Sequence, residues 1–429
     1  MSNISSILVV GAGQAAAVAA ASLRDLGYTG AITLVGDELH PPYERPPLSK
    51  AVLAAGADEE PALHIKDAEF FSNGDIDLRL GLRVTQLDVG NRQAVLSDGA
   101  QLSFDRCLLA TGGVARTLPS LPAQSPFVHY LRTLDDARRL RGCMDRSKHV
   151  VIVGGGFLGL EVASTAVGLG AKVSIIESAD RVLARVVPPE FSGWLQGRAA
   201  RSGAALHLGQ SIQDVDLSGG DSGMAVISLA DGTVLQADTI LVAIGLTANN
   251  SLARAAGLDV DETNGGVLVD EQCRSSAPGI YAAGDCTSQK RNGQSTALRL
   301  ESWQNANEQA RIAAAAILGQ PSKPAAFPWF WTDQFDCNIQ MLGLPQAQCE
   351  YIVRGEPEPD QGAPSFIMLG LRDGKACQAL AVNAGGELRA IRPLLEGALP
   401  IDITQFTNTA IALRAYAKAA VAAAKEPGC

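Results

Sequence analysis

Two glycine turns carry the chemistry that can be read from this chain. The first is Gly11-Ala12-Gly13-Gln14-Ala15-Ala16, fed by the apolar run Ile7-Leu8-Val9-Val10. The second is Gly154-Gly155-Gly156-Phe157-Leu158-Gly159, fed by Val150 to Val153. Each opens onto a helical pattern, the arrangement that lets a backbone approach a pyrophosphate and rest it on a helix N-terminus. In the first turn Ala16 replaces the third glycine, a position that mainly sets close helix–strand packing. A second apolar strand follows each turn and ends in acid: Ala31 to Val35 reaches Gly36-Asp37-Glu38, and Lys172 to Ile176 reaches Glu177. A carboxylate there can accept both hydroxyls of an adenosine ribose. A glycine turn alone reads equally well as a plain tight turn; strand, helix and acid together point to nucleotide binding. Two such units in one chain imply two nucleotides, with a hydride donor and a flavin as the natural pair.

Other segments offer groups to those nucleotides. His40-Pro41-Pro42-Tyr43-Glu44-Arg45-Pro46-Pro47-Leu48-Ser49-Lys50 holds four prolines in eleven residues, which predicts a stiff, extended strip unsuited to a helix interior. It reads either as a surface loop with solvated Arg45 and Lys50, or as a fixed strip holding a cation against a phosphate or flavin. Arg106 to Leu109 runs into Ala110-Thr111-Gly112-Gly113, a strand ending in small residues that leave room for something bulky. A buried strand, Thr239 to Ile244, ends at Gly245, and Gly279-Ile280-Tyr281-Ala282-Ala283-Gly284-Asp285 repeats the pattern of a strand ending in Gly-Asp. Residues 75–105 read as short strands with Asp98-Gly99 as a hairpin turn.

The elements that position these groups fit a chain of 429 residues, enough for two or three domains with separate cores. The alanine-rich stretches are too short or too interrupted to span a bilayer, and no leader is visible before Ile7. Both features predict a cytoplasmic protein. The net charge of −10 argues against broad nucleic-acid binding, although a local basic face remains open. None of the eight cysteines forms C-x-x-C or another short pair, so no zinc site, no other metal site and no redox disulfide is predicted.

The ordered set GxGxxA, ATGG, GxGxxG-x-E and IYAAGD resembles the glutathione-reductase-like flavoproteins. Four further stretches narrow the likeness: Tyr43 to Lys50, Leu131-Arg132-Thr133, Arg299 to Ala306, and Pro328-Trp329-Phe330-Trp331-Thr332-Asp333-Gln334. Together they resemble the oxygenase-coupled, NADH-dependent ferredoxin reductases of the putidaredoxin-reductase and biphenyl-dioxygenase type, over nearly the whole chain. The resemblance implies an α/β fold with two Rossmann-like dinucleotide-binding domains and an α+β C-terminal domain. FAD would be bound by residues 1–115 and 250–325, NADH by 116–249, with the reductase domain at 326–429. It also implies an FAD-dependent enzyme that takes hydride from NADH and passes single electrons to a [2Fe–2S] ferredoxin serving a monooxygenase or ring-hydroxylating dioxygenase.

Carried over by resemblance, FAD contacts fall on Gly11, Gly13, Ala15, Ala16, Asp37 or Glu38, Arg45, Pro47, Lys50, the backbone near Val84, Ala110, Thr111, Gly112, Arg132, Gly284, Asp285, Glu301, Ser302, Trp303 and Trp329. NADH contacts fall on Gly154, Gly156, Phe157, Leu158, Gly159, Glu161, Glu177, Arg185 and Gly245. Lys50 would lie near flavin N5 and pair with Glu161, while Trp331 would mark the electron exit. Local readings compete with two of these, Glu161 as a first-turn acid favoured by the helix dipole and the tryptophans as core anchors; Lys290, Arg291, Arg299 and Arg311 read either as a local docking face for the ferredoxin beside the tryptophan segment or as a scatter of solvated bases. Disulfide-reducing relatives carry a cysteine pair just after the first nucleotide unit. No cysteine precedes Cys107 here, so electrons leave without a thiol beside the flavin. Rubredoxin reductase, monodehydroascorbate reductase and the redox-sensing flavoproteins of the apoptosis-inducing type are the alternatives.

Overall fold

The computed structural model describes residues 4–56, 59, 61–220, 223–291, 296–346, 348–358 and 360–424. Cys429 therefore lies outside the described residues. The chain divides into two compact units: Met1–Leu48, Glu60–Arg116 and Gly245–Ala326 form one, and Ser49–Glu59, Thr117–Ile244 and Phe327–Cys429 the other.

The first unit is organised by a five-stranded parallel sheet, ordered Ile280–Ala282, Arg106–Leu109, Ser6–Val10, Ala31–Gly36, Ile76–Leu80. Ser6–Val10 is the central strand and is buried along almost its whole length. A parallel sheet covered on both faces needs such a run of β-branched and leucine side chains. On one face the alanine-rich helix Gln14–Asp25 packs with helix Trp303–Ile317, and small side chains let both approach closely. On the other face lies a separate core of Leu8, Val10, Leu96, Leu109 and Val267. The hairpin expected at Asp98-Gly99 is present, joining strands Gln93–Leu96 and Gln101–Ser103 with Gly99 at φ +88°.

The second unit repeats the plan. Its parallel sheet runs Ala204–Leu208, Lys172–Glu177, His149–Val153, Thr239–Val242, Val128–Tyr130. Helix Phe157–Gly168 follows the second glycine turn. The same unit contains an antiparallel sheet of five strands, ordered Trp329–Gln334, Cys337–Leu342, Lys375–Val382, Ser365–Arg372, Glu350–Glu356. Helices Gly385–Glu396 and Leu413–Ala423 close its core around Ile367, Leu369, Ile391 and Phe406.

One local expectation needs correction. The proline strip is not extended throughout: Pro46–Ser49 forms a 3₁₀ turn that leads into the short helix Ala51–Ala54. Proline's fixed φ suits the first turn of a helix, where its missing N–H would have no partner in any case. No helix among the described residues is long and apolar enough to cross a membrane.

His129, on the edge strand of the second unit's parallel sheet, is 3% exposed, and neither ring nitrogen has a partner among the described residues. Burial, helped by the nearby Arg139 charge, pulls its pKa down to about 4. Below the ordinary imidazole value near 6.5 the unfolded chain takes up a proton that the folded chain refuses, so stability falls as pH falls through that window. Between pH 7.5 and 5 this one group costs about 2 kcal/mol. Urea unfolding at the two pH values should show wild type losing about that much more than His129→Phe; equal losses would mean that His129 is solvated.

Candidate functional site

The two glycine turns share a geometry that fits phosphate. Gly11 sits at φ +119°, and a Cβ there would lie 2.2 Å from the carbonyl oxygen of Ala110. Gly154 repeats this at φ +112°, with a Cβ placed 2.5 Å from the oxygen of Ala243. Only glycine can occupy either position. At Gly13 and Gly156 a Cβ would meet nothing within 4 Å among the described residues, so the backbone lies open there. Both residues are N-caps without a side-chain hydrogen bond, and neither helix has an acid in its first turn. Helices elsewhere are capped by Asp67, Thr133 and Ser302. The bare amides and the positive ends of these two helix dipoles are left for an anion. Ala15, Ala16, Leu158 and Gly159 form the first turns themselves, and a Cβ on Gly159 would strike the Gly154 oxygen at 2.0 Å.

In the first unit the acids after the second strand are already paired. Asp37 meets Arg83 at 3.1 Å. Glu38 accepts from Arg45 at 2.7 Å and from the Tyr43 hydroxyl at 2.5 Å. Val84 opens the neighbouring strand Val84–Asp88 and is buried, while Pro47 lies in the 3₁₀ turn. Ala110, Thr111 and Gly112 follow the strand Arg106–Leu109, and the Thr111 hydroxyl donates to the Asn249 carbonyl at 2.6 Å.

The Gly284-Asp285 turn is held from beneath by a residue the sequence did not single out. Gln309, 1% exposed, accepts from the Gly284 amide and the Thr287 hydroxyl, both at 2.8 Å. Glu301 pairs with Arg299, Ser302 caps its helix, and the Trp303 indole donates to Glu44 at 3.3 Å. Arg291 bonds Asn305 and burial lowers its pKa; Arg299 is 12% exposed at its side chain. The basic face suggested by Lys290, Arg291, Arg299 and Arg311 is thus not a surface patch, because two of its four members turn inward.

In the second unit Glu177 is clasped by backbone: the Gly155 amide donates to it at 2.7 Å and the Ala179 amide at 2.8 Å. Arg181 is spent on structure, donating to the Val187 and Ala184 carbonyls and to the Ser192 hydroxyl at 2.9, 2.7 and 2.7 Å. Arg185 is exposed on the loop that Arg181 holds. Arg132 precedes the capping box of helix Leu134–Met144 and its amide donates to Asp136. Gly245, at φ +109°, falls in the first unit, where its carbonyl accepts from the Arg116 amide.

Glu161 is tightly constrained in the second unit. It is 8% exposed, and three donors converge on its carboxylate: Lys50 Nζ at 2.8 Å, the Thr332 hydroxyl at 2.6 Å and the Ser49 hydroxyl at 2.5 Å. Gln334 donates in turn to Thr332 at 2.9 Å, and Thr165 donates to the Ser49 carbonyl at 2.8 Å. The periodicities explain the meeting. Phe157 and Glu161 are four apart on a helix, Phe330 and Thr332 two apart on a strand, so each pair shares one face. Phe157 packs on Phe330 with centroids 4.5 Å apart, beside the Glu161–Thr332 bond. Strand alternation sends Trp329 and Trp331 to the opposite face, where they stack at 5.1 Å and 18°. Trp329 also donates to Gln340 and packs against the C-terminal core. Ser49 and Thr332 were missed by sequence reasoning, although the Trp-Phe-Trp-Thr alternation placed a polar side chain on the Phe330 face. No group of His, Cys, Asp or Glu among the described residues is arranged to hold a metal.

Thr332→Val keeps the branched shape but removes one donor to Glu161 and strands Gln334. It should cost about 1–3 kcal/mol in urea unfolding, and the share of that loss owed to the Glu161 bond should vanish in the Glu161→Ala background. Additive losses in the double mutant would show that the bond carries no energy.

Comparisons with known proteins agree with this geometry. The model described as pyridine nucleotide-disulphide oxidoreductase matches residues 5–310, and a reductase C-terminal model matches residues 329–417. The chain is 40% identical over 389 residues to the ferredoxin–NAD(+) reductase component of a 3-phenylpropionate/cinnamic acid dioxygenase from Photorhabdus laumondii, covering 90% of this chain and 95% of that protein. It superposes on the ferredoxin reductase of the CYP199A2 system from Rhodopseudomonas palustris with a TM-score of 0.89 at 35% identity, covering 96% of this chain and 100% of the other. The covalent putidaredoxin reductase–putidaredoxin complex gives 0.90 at 34%, covering 99% of each chain. The chain belongs to the pyridine nucleotide-disulphide oxidoreductases, in the branch of the oxygenase-coupled ferredoxin reductases with the reductase C-terminal domain.

Proposed function

We propose that the protein is an FAD-dependent NADH:ferredoxin oxidoreductase that supplies electrons, through a [2Fe–2S] ferredoxin, to a monooxygenase or ring-hydroxylating dioxygenase. The observation that carries this reading is a pair of open, uncapped glycine-turn helices in a chain with no cysteine before Cys107. Two nucleotides can be held, and no dithiol lies in the strip after the first cradle to take the electrons. The relative from Photorhabdus is named for the reduction of a ferredoxin in a dioxygenase system, and the two structural relatives for ferredoxin-type partners. Bound FAD supplies the chemistry that turns a hydride into electrons released singly.

In this reading residues 1–115 and 250–325 hold FAD, residues 116–249 hold NADH, and residues 326–429 form the reductase domain. The amides after Gly13 receive the FAD pyrophosphate, with Asp37 or Glu38 at its adenosine ribose and Asp285 at its ribityl chain. The amides after Gly156 receive the NADH pyrophosphate, and Glu177 takes the ribose hydroxyls. Lys50 is a fixed positive charge, oriented by Glu161, that stabilises the negative charge a hydride brings. Glu161 is held in its buried place by Ser49, Lys50 and Thr332. Trp331 lies on the electron exit. A cytoplasmic setting fits, because NADH and ferredoxin meet there.

Assaying NADH oxidation against ferredoxin, rubredoxin, cytochrome c and ferricyanide tests the reading. Ferredoxin should give the highest kcat/KM of the protein acceptors; rubredoxin or cytochrome c ahead of it would overturn the choice of partner.

Cofactor choice follows from Glu177 and Arg181. A 2′-phosphate would face the Glu177 carboxylate, and Arg181 is committed to the loop carbonyls. NADH should therefore be preferred. Glu177→Ala should weaken NADH by about 1.5–3 kcal/mol, the worth of a charge-assisted hydrogen bond, and narrow the discrimination. Equal use of NADH and NADPH by wild type would contradict the assignment.

Trp331→Ala should leave anaerobic flavin reduction by NADH near wild type and slow ferredoxin reduction at least tenfold, with ferricyanide affected much less. If all three rates fall together, Trp331 is a packing residue, since truncating a buried Trp costs about 3–5 kcal/mol.

A further inference from the structure

Cys349 and Cys377 are 28 positions apart in sequence, and nothing in their spacing links them. In the folded sheet their sulfurs are 2.9 Å apart, in direct contact. A bulge brings this about. On strand Ser365–Arg372, Gly370 pairs with Gln378 and Leu371 with Ala376, so consecutive residues meet partners two apart and Cys377 is the extra residue. A bulge re-aims a side chain, and here it turns Cys377 toward the start of strand Glu350–Glu356, where Cys349 immediately precedes Glu350. The Cys377 thiol also donates to the Gly370 carbonyl at 3.2 Å. Cys377 is 9% exposed, whereas Cys349 is partly open to solvent. The remaining described cysteines show no such contact; Cys107, Cys273 and Cys286 are sealed in the first unit's core.

We propose that Cys349 and Cys377 form a reversible oxidation site for hydrogen peroxide, closing to a disulfide inside the C-terminal sheet. The accessible Cys349 sulfur attacks one peroxide oxygen, the O–O bond breaks, and a sulfenic acid and one water result. The Cys377 sulfur then attacks Cys349, its proton leaves with the sulfenic hydroxyl as a second water, and the S–S bond forms. The two thiols lose two electrons and peroxide gains them. A small dithiol reductant reverses the step. Burial of Cys377 suits the resolving role, since it keeps that thiol from meeting peroxide itself. Peroxide is also what forms when two electrons and two protons reach dioxygen instead of a carrier, so an NADH oxidase side reaction supplies the reagent; the site itself does not depend on the functional reading above. The cross-link runs from the central strand, Lys375–Val382, across Ser365–Arg372 to the start of Glu350–Glu356, the edge strand opposite Trp329–Gln334. Closing it ties the edge strand Glu350–Glu356 to Lys375–Val382 without touching Glu161.

The test uses the full chain, reduced, desalted, treated with a few equivalents of hydrogen peroxide, then alkylated, digested and mapped without reductant. A cross-linked peptide joining Cys349 to Cys377, accompanied by loss of two of the eight titratable thiols and reversed by dithiothreitol, is the expected result. In Cys377→Ser, peroxide should leave a sulfenic acid on Cys349 that dimedone traps; in Cys349→Ser, Cys377 should stay reduced. Oxidation of other cysteines ahead of this pair, or independent over-oxidation of the two without a cross-link, would overturn the proposal. Because the mapping is made on wild type, a variant that folds poorly does not decide the outcome.

Discussion

The structure turns on a buried carboxylate. A carboxyl group removed from water is tolerated only when its oxygens find hydrogen-bond or charged partners. Glu161 meets that demand with three donors from two distant segments: Ser49 and Lys50 from the end of the proline strip, and Thr332 from the C-terminal sheet. The helix that bears Glu161 begins at the second glycine turn. One group thus ties Ser49 and Lys50, the helix Phe157–Gly168 and the tryptophan-bearing strand into a single arrangement within the second unit. Moving any of them leaves either the carboxylate or its donors unpaired, a cost of 1–3 kcal/mol or more for each broken bond. The apolar contact of Phe157 with Phe330 reinforces the same junction.

The two glycine turns show how one physical device is adapted twice. Each uses a left-handed glycine pressed against a neighbouring carbonyl, followed by a helix that starts without a cap. They differ in the acid. Glu177 is held by the amide of its own turn, which fixes it beside the open end of the helix. Asp37 and Glu38 are held by side chains, Arg83, Arg45 and Tyr43, so the first cradle draws its geometry from the hairpin region and the strip. The inward Gln309 supports the Gly284-Asp285 turn through the Gly284 amide, while Arg299 donates to the Asp285 carbonyl.

Much of this was legible in the sequence because it is local. Strand, glycine turn and helix lie within a few residues of one another, and the closing acids follow at the end of the next strand. The Lys50–Glu161 pair came from resemblance, and the coordinates place the two groups in contact. What could not be read is tertiary. Thr332 and Ser49 became visible only once strand and strip were docked on the helix. Nothing in the sequence around Arg181, four residues past Glu177, shows that its guanidinium is taken up by three loop acceptors. Arg291 and Arg299 counted as surface bases until burial and pairing removed them. The 3₁₀ turn at Pro46–Ser49 was hidden because proline disfavours a helix interior yet suits its first turn. Cys349 and Cys377 meet only through a bulge that no spacing rule announces.

The central claim is that electrons pass from NADH to a one-electron iron–sulfur carrier without a thiol. Counting them tests it most directly. Protein whose accessible thiols have been blocked with iodoacetamide is mixed anaerobically with a limiting amount of NADH and excess oxidised [2Fe–2S] ferredoxin, and both absorbances are followed to completion. Two ferredoxins reduced for each NADH consumed, at a rate close to that of the untreated protein, is the predicted result. NADH consumption that stops on alkylation, or that proceeds without reducing ferredoxin, would contradict the account.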